Sequence, residues 1–228
     1  MCSPEGFQLG EWKYPNDILQ DSSLIAKCKS GFQIRRLNMK QAIDTDPHFL
    51  PADLPVPVDD GACRHLRAMK VPSISLRSTS GRDVNLASAS SGRVVFFFYP
   101  ETGKPGKQIP KIWNEIPGAR GCTPQSCSFR DRYREFKELG FEVFGVSAQS
   151  LDEQMEFAKR NNLQYELLND SDFRLTNELR LPTFKFESKI FIKRLALVAR
   201  RGRIEKVFYP IFPPEKNAEV VLEYLRGK

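Results

Sequence analysis

Residues 93–100, RVVFFFYP, limit what this chain can fold into more than any other stretch. A strand with one solvated face alternates apolar and polar side chains, but Val94 to Tyr99 is apolar at every position. Such a run is a strand buried on both faces, so it needs a sheet around it and a layer of structure above and below. Pro100 ends it, having no N–H to give to a ladder. At 228 residues, with 40% hydrophobic and 11% aromatic residues, the chain has enough apolar material to close both sides. No apolar run approaches the roughly 20 residues that a membrane-spanning helix needs.

The neighbouring patterns supply the sheet. Ser73–Arg77 and Val84–Leu86 flank STSGRD and predict a hairpin with Gly81 at the bend. Phe141–Val146 predicts a second buried strand. Leu151–Arg160 predicts a helix with apolar residues 151, 155 and 158 on one face. Tyr165–Leu168 reads as a short strand, and NDSDFRLTNELR as a short helix started by Asp170 or Ser171. Lys189–Ala199 reads as one strand, turned by RRGR into Ile204–Tyr209, and Glu215–Arg226 as a closing helix. The expected class is α/β, a mixed central sheet with helices on both faces, and its element order is similar to the thioredoxin-like fold.

Upstream, residues 1–50 lack a sustained period and form a poorly organised extension. Met39 is an alternative start, and a targeting peptide there is opposed by Glu5, Glu11, Asp17 and Asp21. Residues 51–70 form a proline-rich arm whose prolines favour an extended path, with a short helix or turn over Gly61–Met69. Residues 71–228 form the main domain.

The net charge of +7 belongs to residues 51–228, because residues 1–50 carry six basic and six acidic side chains. Nine basic residues between Arg180 and Lys206 face only Glu187 and Glu205, and read as a solvated strand-and-loop surface. No nucleic-acid module accompanies them, so neither a nucleic acid nor a membrane is an expected partner. Five cysteines, an odd number, argue against a secreted disulfide scaffold and for a reducing compartment. Cytoplasmic is the expected location, with organellar targeting by the extension as the alternative.

Two of the five, Cys122 and Cys127, lie in GCTPQSCSFRD, just beyond the buried strand and a Gly- and Pro-rich loop. The charged, periodic run Ser128–Leu139 reads as a helix, and Pro124 suits its first turn. Cys122 then lies at the N-cap, where unpaired backbone donors and the dipole favour an anion, so its thiol is a candidate nucleophile. Arg120 and Arg130 add positive field. In an unbroken helix residues five apart have Cα atoms about 8.5 Å apart, whereas a disulfide needs roughly 4.4–6.8 Å. The pair closes only if the first turn unwinds. Metal binding is the rival reading, but zinc needs four ligands, and His48 and His65 are remote and isolated. Neither a metal nor another cofactor is expected.

GCTPQSCSFRD after FFFYP resembles the peroxiredoxins, in the bacterioferritin-comigratory or Q-type branch, with an expanded loop before the first cysteine. The resemblance runs from about Val71 to the C-terminus through KRLALVARRGRI and VFYPIFPPEKNAEVVLEYL. It implies a thiol-dependent peroxidase acting on hydrogen peroxide and small organic hydroperoxides. Cys122 would be the peroxidatic cysteine, Cys127 the resolving cysteine that forms an intramolecular disulfide, and Arg194, or Lys193 beside it, the cation at the thiolate. Thioredoxin or glutaredoxin would recycle the disulfide, and the chain would be a monomer or weak homodimer. The family's hydroxyl three residues before the cysteine is Ala119 here, its proline position holds Glu115, and its acid three residues after the cysteine is Gln125. Pro100 remains to take the proline's place, and Thr102 or Thr123 to supply the hydroxyl. A peroxide sensor of low turnover and a general disulfide oxidoreductase are the alternative functions.

Overall fold

The computed structural model describes residues 45–227, so the expectations about Met39 and a targeting peptide lie outside the described residues. The arm passes through a single 3₁₀ turn, Arg64–Leu66, and leads into a hairpin of β1 (Ser75–Ser78) and β2 (Asp83–Asn85). A short helix, α1 (Leu86–Ser91), is capped by Asn85, whose side chain accepts from Ser88 N–H. Then comes β3 (Arg93–Phe98), the strand of the unbroken apolar run.

Beyond β3 a loop carries α2 (Lys111–Glu115), a helix the sequence did not announce, and delivers the chain to α3 (Cys122–Asp131). The helix expected over Ser128–Leu139 therefore starts earlier. It also breaks at Arg132, whose φ of −108° and ψ of 9° separate α3 from α4 (Tyr133–Glu138). β4 (Glu142–Ser147), α5 (Leu151–Arg160) and β5 (Glu166–Asn169) follow. Ser150 caps α5, accepting from Glu153 N–H and donating its hydroxyl to the Glu153 carboxylate. In α6 (Arg174–Glu178) the N-cap position is Phe173, at a φ of 55°. Asp170 still does the capping, from further back, by accepting from the N–H groups of Leu175 and Thr176.

The expected single strand over Lys189–Ala199 is two strands. β7 (Lys189–Ile192) pairs with β6 (Thr183–Phe186) as a separate two-stranded sheet, whereas β8 (Leu195–Arg200) enters the main sheet beside β3. Lys193 and Arg194 alone join them. After β9 (Arg203–Phe208) a 3₁₀ turn, Pro214–Lys216, precedes the closing helix α7 (Asn217–Arg226).

The main sheet has the order β2-β1-β5-β4-β3-β8-β9. β3, β4 and β5 run parallel, and the other pairings are antiparallel. This is the α/β, thioredoxin-like architecture, with β3 near its centre. Val94, Phe96 and Phe98 point into one apolar layer with Leu86, Leu175 and Leu179. Val95, Phe97 and Tyr99 point into the other with Phe129, Phe136, Phe157 and Val221. Two-sided burial is thus the reason for the unbroken apolar run. Fully burying each such side chain contributes about 1.5–3 kcal/mol. Phe97 stacks on Phe129 at a centroid distance of 4.3 Å, which fixes the second half of α3 to the strand. Gly145 on β4 makes room for this ring, because a Cβ there would lie 2.7 Å from Phe97 Cζ and 2.6 Å from Leu167 Cδ2.

Candidate active site

α3 begins at Cys122 itself, one residue earlier than the N-cap placement expected. Gly121 is the N-cap, at a φ of 103° that a side chain rarely adopts. Its carbonyl accepts the first helical bond from Gln125 N–H at 3.0 Å. A Cβ on Gly121 would also lie 2.3 Å from Pro214 Cγ. Glycine lets the turn pass under the Pro214–Lys216 segment and set Cys122 in the first turn, where backbone N–H groups are unpaired.

Arg194 reaches this sulfur from the joint between β7 and β8. Its Nη2 donates to Cys122 Sγ at 3.3 Å, and the Cys122 thiol also donates to the Ala119 carbonyl at 3.6 Å. The same Nη2 lies 3.3 Å from the Gly118 and Ala119 carbonyl oxygens and 3.0 Å from that of Arg120. Nη1 donates to Gln125 Oε1, and Gln125 Nε2 donates to Asn217 Oδ1 at 2.9 Å. Arg194 is only 3% exposed, and among the described residues no carboxylate pairs with it. A buried guanidinium held by neutral oxygens lacks a counter-charge, and the sulfur is the atom placed to provide one. Lys193, the alternative cation, turns away to Asp60 at 2.9 Å.

Cys127 sits one and a half turns along α3, buried, with Sγ 3.8 Å from Asn161 Oδ1. Burial raises its thiol above the ordinary range, against the pull of Arg130. Arg130 itself bonds Asp131 and the Asn161 carbonyl, so its charge serves the Cys127 end. Both thiols are free, and α3 is regular between them.

A cavity of about 360 Å³ opens over Cys122. Thr102 and Thr123 both line it. The Thr102 hydroxyl is committed to Gln149 Oε1 at 3.0 Å, whereas Thr123 Oγ1 is buried with no hydrogen-bond partner in the protein. Of the two candidates, Thr123 has the hydroxyl without a partner in the protein. One wall is aromatic: Trp113 from α2 stands edge-on to Phe191 at 4.9 Å and to Phe186 at 5.3 Å. Glu101 also lines the cavity, its carboxyl raised by burial, with Lys189 and Lys104 acting against the rise.

Cys122, Arg194 and Thr123 therefore lie in one place, with Gln125 added by the fold, while Cys127 stands apart in the closed helix. The carbonyl cage of Gly118–Arg120, the Asn217 prop and the aromatic wall had no announcement in the sequence. Ala119 lacks the hydroxyl that the family resemblance calls for, yet its carbonyl accepts from both Cys122 and Arg194. A cysteine heading a helix beneath a cavity, with a buried cation on its sulfur, has the arrangement that thiol-redox chemistry requires.

The Redoxin family model matches residues 67–222. A chloroplastic peroxiredoxin Q of Sedum lineare is 31% identical over 156 residues, which is 68% of this chain and 75% of that protein. The chloroplastic peroxiredoxin Q of Gentiana triflora is 30% identical over 156 residues, and this chain spans 64% of its length. Among solved structures, peroxidoxin BcpB from Mycobacterium tuberculosis aligns with a TM-score of 0.58 at 25% identity, covering 71% of this chain and 96% of that one. The chain belongs to the Redoxin family and, within it, to the Q-type peroxiredoxins.

Proposed function

We propose that this chain is a thiol-dependent peroxidase for hydrogen peroxide and organic hydroperoxides. Cys122 is its peroxidatic and Cys127 its resolving cysteine. The observation that carries the reading is the 3.3 Å contact of Arg194 Nη2 with Cys122 Sγ at the floor of the cavity. The thiolate attacks the distal peroxide oxygen, the O–O bond breaks, and the products are Cys122 sulfenic acid and an alkoxide or hydroxide that takes up a proton. Arg194 supports the charge as it moves from sulfur to the leaving oxygen, and the Thr123 hydroxyl orients the peroxide. Cys127 then condenses with the sulfenic acid, releasing water and leaving a disulfide.

An external dithiol reduces that disulfide by exchange, with thioredoxin or glutaredoxin the proposed donor. The cysteine usage fits a reducing compartment, the cytosol or, as the chloroplastic relatives suggest, an organelle. Among the described residues no helix is long and apolar enough to cross a membrane. The test is peroxide-dependent oxidation of a thioredoxin system, followed with the wild type and Cys122→Ser. Loss of activity in the variant is expected, and a Cys122→Ser protein with full activity would overturn the reading. Intact mass before and after one equivalent of peroxide identifies the disulfide by the loss of two hydrogens across Cys122 and Cys127.

A further inference from the structure

The two halves of α3 are held by different parts of the chain. Phe97 grips the resolving half by stacking on Phe129, and the Tyr165 hydroxyl donates to the Ser126 carbonyl at 2.8 Å. The peroxidatic half is held by Arg194 and the Pro214–Lys216 segment and, in addition, by residues 46–50. Arg120, 7% exposed, donates through Nη2 to the Asp46 carbonyl at 2.9 Å and to the Phe49 carbonyl at 2.8 Å. Leu50 lies over the α-carbon of Gly121, where an added Cβ would sit 3.2 Å from Leu50 Cδ2. Residues 46–50 thus fasten the turn that must unwind if Cys122 is to meet Cys127, while the Cys127 end stays on the sheet.

We infer that Asp46–Leu50 is a strap over the peroxidatic turn, with Arg120 as its positioning residue, and that it sets the rate of the resolving step. The inference rests on the proposed Cys122–Cys127 disulfide. With the strap fastened, the sulfenic acid waits over the cavity floor. A second hydroperoxide then competes with Cys127 for it, oxidising the sulfur to sulfinic acid and leaving as the alcohol or water. With the strap released, the turn unwinds and Cys127 attacks first. The strap trades recycling speed for exposure to over-oxidation.

The experiment is rapid mixing of the full-length protein with peroxide, quenched for intact mass and read for sulfenic acid, disulfide and sulfinic acid. Leu50→Ala is expected to leave the first oxidation unchanged and to hasten disulfide formation several-fold. Arg120→Ala, which loses hydrogen bonds from a charged donor, is expected to hasten it about tenfold and to lower the sulfinic acid fraction in excess peroxide. Arg120→Lys, which keeps a cation at that position, is expected to restore much of the wild-type partition. Disulfide formation at the wild-type rate in both alanine variants would overturn the strap while leaving the peroxidase reading in place. Sulfenic acid without any Cys122–Cys127 disulfide in the wild type would overturn the resolving role of Cys127 and the strap together. A general loss of folding would lower Tm without moving the disulfide-to-sulfinic ratio, and that outcome also counts against the strap.

Discussion

Arg194 gathers three backbone carbonyls, an amide oxygen and a sulfur around one planar fork, a geometry an ammonium cannot copy. Arg194→Ala is expected to slow the first oxidation of Cys122 by about 10²–10³-fold, the cost of removing one preorganised electrostatic partner. Arg194→Lys should recover only part of this, and stopped-flow traces of the peroxide reaction check both. A different thiol shows what the site adds. Cys63 is as well buried as Cys127, but burial and the nearby Asp60 and Asp59 carboxylates push it up to about 12. It is expected to resist alkylation of the native protein at pH 8, as peptide mapping after iodoacetamide treatment would show.

At the scale of elements, α3 depends on β3 and β4 for its seat. Gly145→Ala would drive a methyl group into Phe97 and Leu167, and such overpacking costs about 1–3 kcal/mol. A lower denaturation midpoint with an unchanged m-value checks this. β3 was legible in the sequence because burial on two faces is written into its composition. α5 was legible as a helix, but not by its face: the buried side chains are Gln154 and Phe157, whereas Met155 of the expected stripe is 40% exposed. The division of β7 from β8 was not legible, since Lys189–Ala199 is continuous in β propensity and only the tertiary placement of Lys193 and Arg194 breaks it. The start of α3 was displaced by one residue because Gly121 caps it with backbone alone. The cage around Arg194 was invisible for a similar reason. Carbonyl oxygens belong to every residue, so Gly118, Ala119 and Arg120 carry no side-chain mark of the work they do. The cysteine pair and the late-strand arginine are side-chain chemistry, and these could be read, whereas the link from Gln125 to Arg194 and Asn217 could not.

Across the whole molecule, the arm is tied to the joint that carries Arg194. Asp60 accepts from Lys193 Nζ and from the Tyr209 hydroxyl, each at 2.9 Å. The Lys193 hydrogen bond, foremost, holds the Asp60 carboxyl down at about 2, below its ordinary 3.8. Because the folded value is depressed, the stabilisation is present above pH 3.8 and is lost as the pH falls through about 2. The Tm difference between wild type and Asp60→Asn is expected to be steady near neutrality and to narrow over that acid window. The joint itself has a further consequence. β7 walls the cavity in one sheet, β8 lies in another, and only Lys193 and Arg194 span them. A two-residue link has no slack, so the aromatic hairpin and the guanidinium form two arms of one lever. On the proposed function, a bulky hydroperoxide leaning on Phe191 is expected to shift Arg194, so that the rate of Cys122 oxidation would depend on the size of the substrate.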